Sequence, residues 1–381
     1  MNSVDLPLAL YVHIPWCERK CPYCDFNSHP IRQPIPEAAY VTALLADLAW
    51  EWQRLPWPRP VHSLFMGGGT PSTFSPPAIQ QLLNGIRRQV PCQPNLEITL
   101  EANPGTVDYA KFSGFHSSGI TRLSLGIQSF NAGHLQQLGR IHDPQQAHQA
   151  IVLAQQAGFS RLNLDLMYGL PQQTPEQAVT DIEQAIAHQP QHISLYQLTL
   201  EPNTAFYRHP PTLPTDDSIW ESQHRCQQLL AHAGYQQYEV SAYAQPGYAC
   251  QHNLNYWQFG DYIGIGAGAH SKLTHPSGII RHSKHKSPGA FMQRAGTQAA
   301  LATEETVTPD QLPLEFLMNA LRLPDGFQPE LFTQRTGLTQ AALRQILQPA
   351  LARNWIDWQP QQIKTTAQGW HYLDTVLQLF V

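Results

Sequence analysis

The chain has 381 residues, 42% of them hydrophobic and 13% charged, about half the roughly 25% charged content usual for soluble domains. Its 23 Lys and Arg against 28 Asp and Glu give a formal charge of −5, and the absence of any basic block excludes a broad electrostatic footprint for nucleic acid. No apolar run approaches the about 20 residues of a spanning helix, and Asp5 with no basic residue ahead of the first apolar run does not read as a secretory leader, so a soluble, cytoplasmic protein is expected.

Strand-like runs alternate with helical patterns along most of the chain. A strand over 8–14 precedes a helix over 37–54. A strand over 61–66 precedes a helix opening at Ser75-Pro76-Pro77. Then come a strand over 96–102 with a short helix, and a strand over 122–127 with a long helical region ending near Gly158. A strand over 161–168 leads to a helix opened by Thr174-Pro175, with Thr as N-cap and Pro in the first helical position. A strand over 192–198 and a helix near 217–233 complete six repeats. This alternation argues for parallel βαβ units. Each of the first five strands ends in polar or Gly-rich chemistry: the Cys17 loop, Gly67 to Pro71, Glu101, Gln128, and Asp165 with Tyr168. In β/α barrels the C-terminal strand ends share one site, so the expected fold is an α/β partial (β/α)6 barrel over 1–240. An extension over 241–300 follows. A helical module over 301–381 has three helices and a short strand pair, in a winged-helix-like order. Its third helix carries only Arg344 and Arg353, so a packing role is expected rather than DNA binding.

Three of the six cysteines, Cys17, Cys21 and Cys24, fall within eight positions. A secreted disulfide framework would be spread along the chain. Zinc would ask for a fourth ligand, for which His13 or His29 is available, and Cys21-Pro22-Tyr23-Cys24 also has the spacing of a redox disulfide. An iron–sulfur cube held by three thiolates, with one iron open to an exchangeable ligand, is the favoured reading.

The segment Cys17-Glu18-Arg19-Lys20-Cys21-Pro22-Tyr23-Cys24, preceded by Tyr11-Val12-His13-Ile14-Pro15-Trp16, resembles the signature of the radical S-adenosylmethionine (radical SAM) proteins. Gly67-Gly68-Gly69-Thr70-Pro71 resembles the GGGTP segment of the oxygen-independent coproporphyrinogen III oxidase family. Glu101-Ala102-Asn103-Pro104, the run from Ser124 to Phe130 and the run from Asp165 to Pro171 continue the likeness, which extends from about residue 8 to the C-terminus. The resemblance implies a [4Fe–4S] cluster on Cys17, Cys21 and Cys24, whose open iron chelates the amino and carboxylate groups of S-adenosylmethionine. It also implies that Gly67, Gly68, Gly69 and Thr70 bring backbone close to the methionine moiety and that Arg140 pairs with its carboxylate. Glu101, Gln128 and Asp165 would supply acceptors for ribose hydroxyls or the amino group, and Tyr11 and Tyr23 would flank the cluster loop.

Two departures from the decarboxylating oxidases bear on function. Phe26 stands two residues after the third cysteine, where those enzymes carry a further Cys. The first strand also begins too early to leave room for their N-terminal extension. Both favour the heme-carrying chaperone members of the family over a radical oxidase or transferase acting on a porphyrin. His252-Asn253-Leu254-Asn255-Tyr256-Trp257 resembles the HNxxYW segment connected with heme binding, with His252 as axial ligand and the aromatic rings as flat faces for a macrocycle. The neighbouring Cys250 is read as a small buried thiol. The implied partners are heme-accepting apoproteins, membrane-bound respiratory proteins among them, with a homodimer also within the family's range.

Overall fold

The computed structural model describes residues 6–380; Asp5, on which the reading of the N-terminus rests, lies outside them. Six parallel strands stand side by side in chain order: β1 (Leu8–Ile14), β2 (Val61–Gly68), β3 (Cys92–Ala102), β4 (Arg122–Gln128), β5 (Leu162–Tyr168) and β6 (His192–Gln197). All six expected βα repeats are present. Their outward residues, such as Leu64, Leu100, Leu125 and Leu164, are buried under the helices, whereas the other face turns Tyr11, Phe65, Glu101 and Asp165 toward a concave lumen. This inside–outside division makes the strands apolar on one face and polar on the other.

After residue 233 the sheet grows at both edges. A hairpin of β7 (Gln236–Glu239) and β8 (Ala242–Ala244) joins β6 antiparallel. At the opposite edge β9 (Asp261–Ile265) pairs parallel to β1. β10 (His270–His275), β11 (Gly278–Lys284) and β12 (Leu301–Thr306) continue antiparallel from it. The result is one open sheet of twelve strands. The fused helical region expected after β4 is instead two helices, Ala132–Gln137 and Pro144–Gln156. Gly139 takes φ +66°, and Asp143 caps the restart in a capping box with Gln146. Pro144 disfavours helical geometry at the residue before it. The loop between the two helices holds Arg140.

Two features fix the extension to the rest. Helix α1 (Glu37–Gln53) presents Asp47 and Glu51 to Lys284 at the end of β11, at 2.7 and 2.5 Å, and all three side chains are fully buried. The C-terminal module forms a second core around Phe316, whose ring meets Phe327, Phe332 and Phe259 at 5.0, 5.3 and 5.7 Å between centroids. Phe259 thus ties this core to the extension. Arg344, in the third helix of the module (Gln340–Ala352), lies over Trp358 of the hairpin β13 (Ile356–Gln359) and β14 (Gln362–Thr365), and Arg353, which caps that helix, lies over Trp355 just before the hairpin, so both cations are committed to packing. Among the described residues no helix is long and apolar enough to cross a membrane.

Candidate functional site

The cysteine loop leaves the C-terminal end of β1. Cys17 is buried, Cys21 and Cys24 are partly exposed, and all are free thiols. Burial raises the thiols of Cys17 and Cys24, and the neighbouring thiols raise both further. The Thr70 hydroxyl offsets this at Cys17, and the Phe26 backbone and Ser28 hydroxyl do so at Cys24. Three thiols crowded on one loop, with Cys17 and Cys24 raised by their neighbours, are a donor set suited to a cation, whose charge reverses that effect. Among the described residues no three such side chains gather around one point as a single-ion site needs, whereas a cube takes its thiolates at separate corners. The histidines weighed as a fourth zinc ligand are engaged elsewhere. His13 pairs with the Tyr11 hydroxyl and the Asn27 carbonyl, and His29 Nε2 contacts the Lys286 carbonyl.

Arg140 reaches from its loop to the same place. Nη1 lies 3.5 Å from Cys21 Sγ, Nη2 donates to the Gly126 carbonyl at 2.7 Å, and Nε is buried with no partner. Its cation also faces Tyr23, whose phenol is pushed up by burial and by the adjacent thiols. A buried guanidinium N–H left unpaired beside the thiols suits a carboxylate acceptor, so the residues fit a chelated amino acid cosubstrate.

The glycines have a different immediate reason. A Cβ at Gly68 would stand 2.5 Å from the His13 ring, and one at Gly69 2.5 Å from the Trp16 carbonyl oxygen. Gly69 N–H donates to Ile14 O and Thr70 N–H to Trp16 O. The close approach therefore presses the end of β2 onto the strand that launches the cysteine loop, while a Cβ at Gly67 would meet the Glu101 carboxylate at 3.1 Å. Glu101 accepts from Gly68 N–H at 3.3 Å.

Glu101 and Asp165 stand on the same face of the sheet, on strands β3 and β5 with β4 between them. Burial, with the Asp165 charge, pushes Glu101 up to about 8. Asp165 is also raised by burial, against hydrogen bonds from Ser124 at 2.8 Å and Asn163 at 2.8 Å. A carboxyl raised from 4.5 to about 8 on folding makes the folded state bind the extra proton, so its presence lowers stability progressively from about pH 4.5 to pH 8. Glu101→Gln is expected to gain on the order of 2 kcal/mol over the parent at pH 8.5, after allowance for solvent in the lumen, and little at pH 5. Urea denaturation at both pH values measures this; an equal difference at the two would refute the reading. Gln128 ends β4 at φ +68°, after an irregularity in the β4–β5 register. A non-glycine residue held there is a strained feature of the kind that gathers at functional sites.

Composition and periodicity give no sign of two other residues. Asn27 anchors the cysteine loop by donating to the carbonyls of Ala267 and Lys286, both at 2.9 Å. Arg122, 2% exposed, supplies the buried cation at the base of the lumen, beside Glu97, Cys250 and Asp165; a lone Arg at the head of an apolar strand is its only sequence signal.

The HNxxYW segment is the helix Gln251–Trp257, set against β1 and β2 at the base of the same lumen. Glu97 accepts from Gln251 N–H at 2.8 Å and the buried Cys250 thiol points at the same carboxylate. His252 stacks on Phe65 at 5.2 Å and lies 6.3 Å from the Tyr11 ring. Its Nδ1 pairs with the Ser63 hydroxyl at 3.2 Å and its Nε2 with the Tyr256 hydroxyl at 3.0 Å. It is 2% exposed. In this arrangement both ring nitrogens are satisfied within the chain.

Residues 11–185 match the model of the radical SAM superfamily, and 307–372 match the HemN C-terminal domain. The chain is 49% identical over 379 residues to a protein of Haemophilus influenzae named heme chaperone HemW, with 98% of each chain covered. It is 48% identical over 376 residues to the Escherichia coli protein of that name, again covering 98% of both. The chain belongs to the HemW family of radical SAM proteins. A solved structure of coproporphyrinogen III oxidase from Escherichia coli, described as a radical SAM enzyme, superposes with TM-score 0.82 at 23% identity, covering 99% of this chain and 90% of that one. That likeness establishes the fold. The HemW family thus shares an oxidase's framework, and the [4Fe–4S] cluster and S-adenosylmethionine go with its superfamily.

Proposed function

We propose that this chain binds heme and transfers it to acceptor proteins, and that it carries a [4Fe–4S] cluster on Cys17, Cys21 and Cys24 with exchangeable S-adenosylmethionine. The observation that carries the reading is the placement of two motifs on the same two strands. The thiols and Arg140 sit at one end of the lumen, the HNxxYW helix closes the other, and Tyr11 touches both through His13 and His252. When bound, the cluster supplies an open iron and an electron source next to the sulfonium. Arg140 would hold the cosubstrate carboxylate; Glu101, Gln128 and Asp165 would face its polar groups; Tyr11 and Tyr23 would shield the loop from water. In this proposal His252 would become the iron ligand once its Nε2 is released from the Tyr256 hydroxyl, one turn further along the same helix. The acceptors are heme-binding apoproteins met in the cytoplasm or at the membrane surface, respiratory proteins among them, and a homodimer is the proposed carrier.

The oxidase alternative is disfavoured by Phe26, 60% exposed, a side chain with no thiol chemistry. After anaerobic reconstitution the chain is expected to hold about four iron and four sulfide per chain, and Cys17→Ala, Cys21→Ala or Cys24→Ala to lose the absorbance near 400 nm. Hemin should bind. Incubation with coproporphyrinogen III, S-adenosylmethionine and a reductant should give no decarboxylated product, and turnover there would overturn the carrier reading.

A further inference from the structure

Behind the HNxxYW helix, on the side of β9 to β11 and the C-terminal module, lies a separate cavity of about 240 Å³. Tyr256, Phe259 and Tyr262 form its aromatic walls, and Trp257, Lys272, Arg281 and Asn319 line the rest. Those four side chains all carry N–H donors. Trp257 Nε1 and Arg281 Nε are buried and have no partner, and a buried donor left unpaired costs free energy that an acceptor recovers. The counter-charges stand outside the lining: Arg281 is paired with Glu315, and Lys272 Nζ with Asp261 at 3.2 Å while lying 4.2 Å over the Phe259 ring. The cavity thus offers an arriving ligand donors and flat apolar walls. Its volume falls below the roughly 300–1,000 Å³ that enclose a whole drug-sized molecule, so it suits an arm of a larger ligand.

We propose that this cavity is a carboxylate site, and that it takes a propionate arm of heme while the macrocycle meets the HNxxYW helix. The proposal rests on the heme-carrying reading for the identity of the ligand, but the carboxylate chemistry stands on the cavity's own donors. Trp257 Nε1 and Arg281 Nε would each donate to the carboxylate, with Lys272 as the nearby fixed cation. Because Trp257 and His252 share one short helix, engaging the arm would place the iron on the same element as its proposed ligand.

Two measurements on the full chain test this. In the first, hemin and hemin dimethyl ester, which lacks free carboxylates, are titrated into the parent, Trp257→Phe and Arg281→Gln chains. The parent should bind hemin about tenfold more tightly than the ester, and both variants should lose most of that preference, read for each chain as the ratio of its own two affinities. In the second, with no heme present, the indole N–H resonances of 15N-tryptophan-labelled chain are followed. Propionate should shift the resonance that is missing from Trp257→Phe, and propionamide should shift it less. Hemin binding with no preference over the ester, together with an unmoved Trp257 resonance, would overturn the carboxylate site and leave the carrier reading intact. Absence of hemin binding with a propionate-specific shift of Trp257 would remove heme as the ligand and keep the site.

Discussion

Lys284→Met is expected to lower the free energy of unfolding by about 3–5 kcal/mol at pH 8, the usual penalty for breaking a buried ion pair from one side. The Lys284 ammonium is fully buried between Asp47 and Glu51, and Glu51 also accepts from His282 at 2.9 Å. Burial alone pushes both carboxyls up. At Asp47 it wins over the lysine, leaving that group at about 6. At Glu51 the hydrogen bonds and charges of His282 and Lys284 outweigh it and hold the carboxyl below its ordinary value. Removing the ammonium leaves two carboxylates in a site with one imidazole. They can escape the penalty only by taking up protons, so the variant's deficit should be largest at pH 8 and shrink toward pH 5.5. This sign follows from linkage: carboxyls raised on folding destabilise above their unfolded value, more so as pH rises through the folded one. Adding Asp47→Asn and Glu51→Gln to the variant should recover most of the loss, since a neutral polar group costs far less to bury than an ion. Urea midpoints for the three chains at the two pH values measure it. An unchanged midpoint for Lys284→Met would mean that the extension is not held to α1 by this group.

The six βα repeats are legible in the amino-acid sequence because strand periodicity and helix punctuation agree locally. Thr174-Pro175 opens its helix with the expected capping box, and Ser75 caps the helix beginning at Pro76. The polar strand ends announce a shared face because a charge or amide at the tip of an apolar strand needs a reason. What escapes a local reading is long-range. Nothing local tells β9 to pair beside β1 rather than to follow β6 around the sheet, since that choice is made by contacts more than two hundred residues apart, such as Asn27 to Ala267 and Asp47 to Lys284. The glycine run is legible as a place of close approach, but only the folded chain reveals that the first neighbour is the strand carrying the cysteine loop. The break that holds Arg140 carries a local signal, Asp143-Pro144, which is submerged in the helical pattern on either side. For His252, the motif identifies the residue and conceals its state: a histidine with both nitrogens occupied by hydroxyls has the sequence of an open one.

That state makes the response of His252 to its neighbours a decisive test. Tyr256→Phe is expected to tighten hemin binding about fivefold, because a hydrogen bond of net worth about 1 kcal/mol no longer holds Nε2 closed. His252→Ala should abolish the histidine-ligated hemin spectrum and, by emptying a site packed between Phe65 and Tyr11, cost about 2–4 kcal/mol of stability. The stability loss alone would be expected of a purely structural histidine, so the spectrum and the opposite effect of Tyr256→Phe carry the distinction. The pH profile adds a third readout. Burial, with the charges of His62 and Arg122, depresses His252 to about 3, so its ring is neutral, with a single N–H, in the closed chain from pH 5 to 8, and it would bind iron in that same neutral form. Ligation by His252 then exchanges no proton on that ring, and it should contribute no pH dependence to hemin affinity across that range. A solvent-exposed histidine ligand would instead lose affinity as pH falls below about 6.5, where a proton competes for the nitrogen. A flat profile with a gain from Tyr256→Phe places the iron at His252; a profile falling below about pH 6.5 with no effect of Tyr256→Phe moves the ligand to one of the exposed histidines and leaves the HNxxYW helix as the structural floor of the lumen.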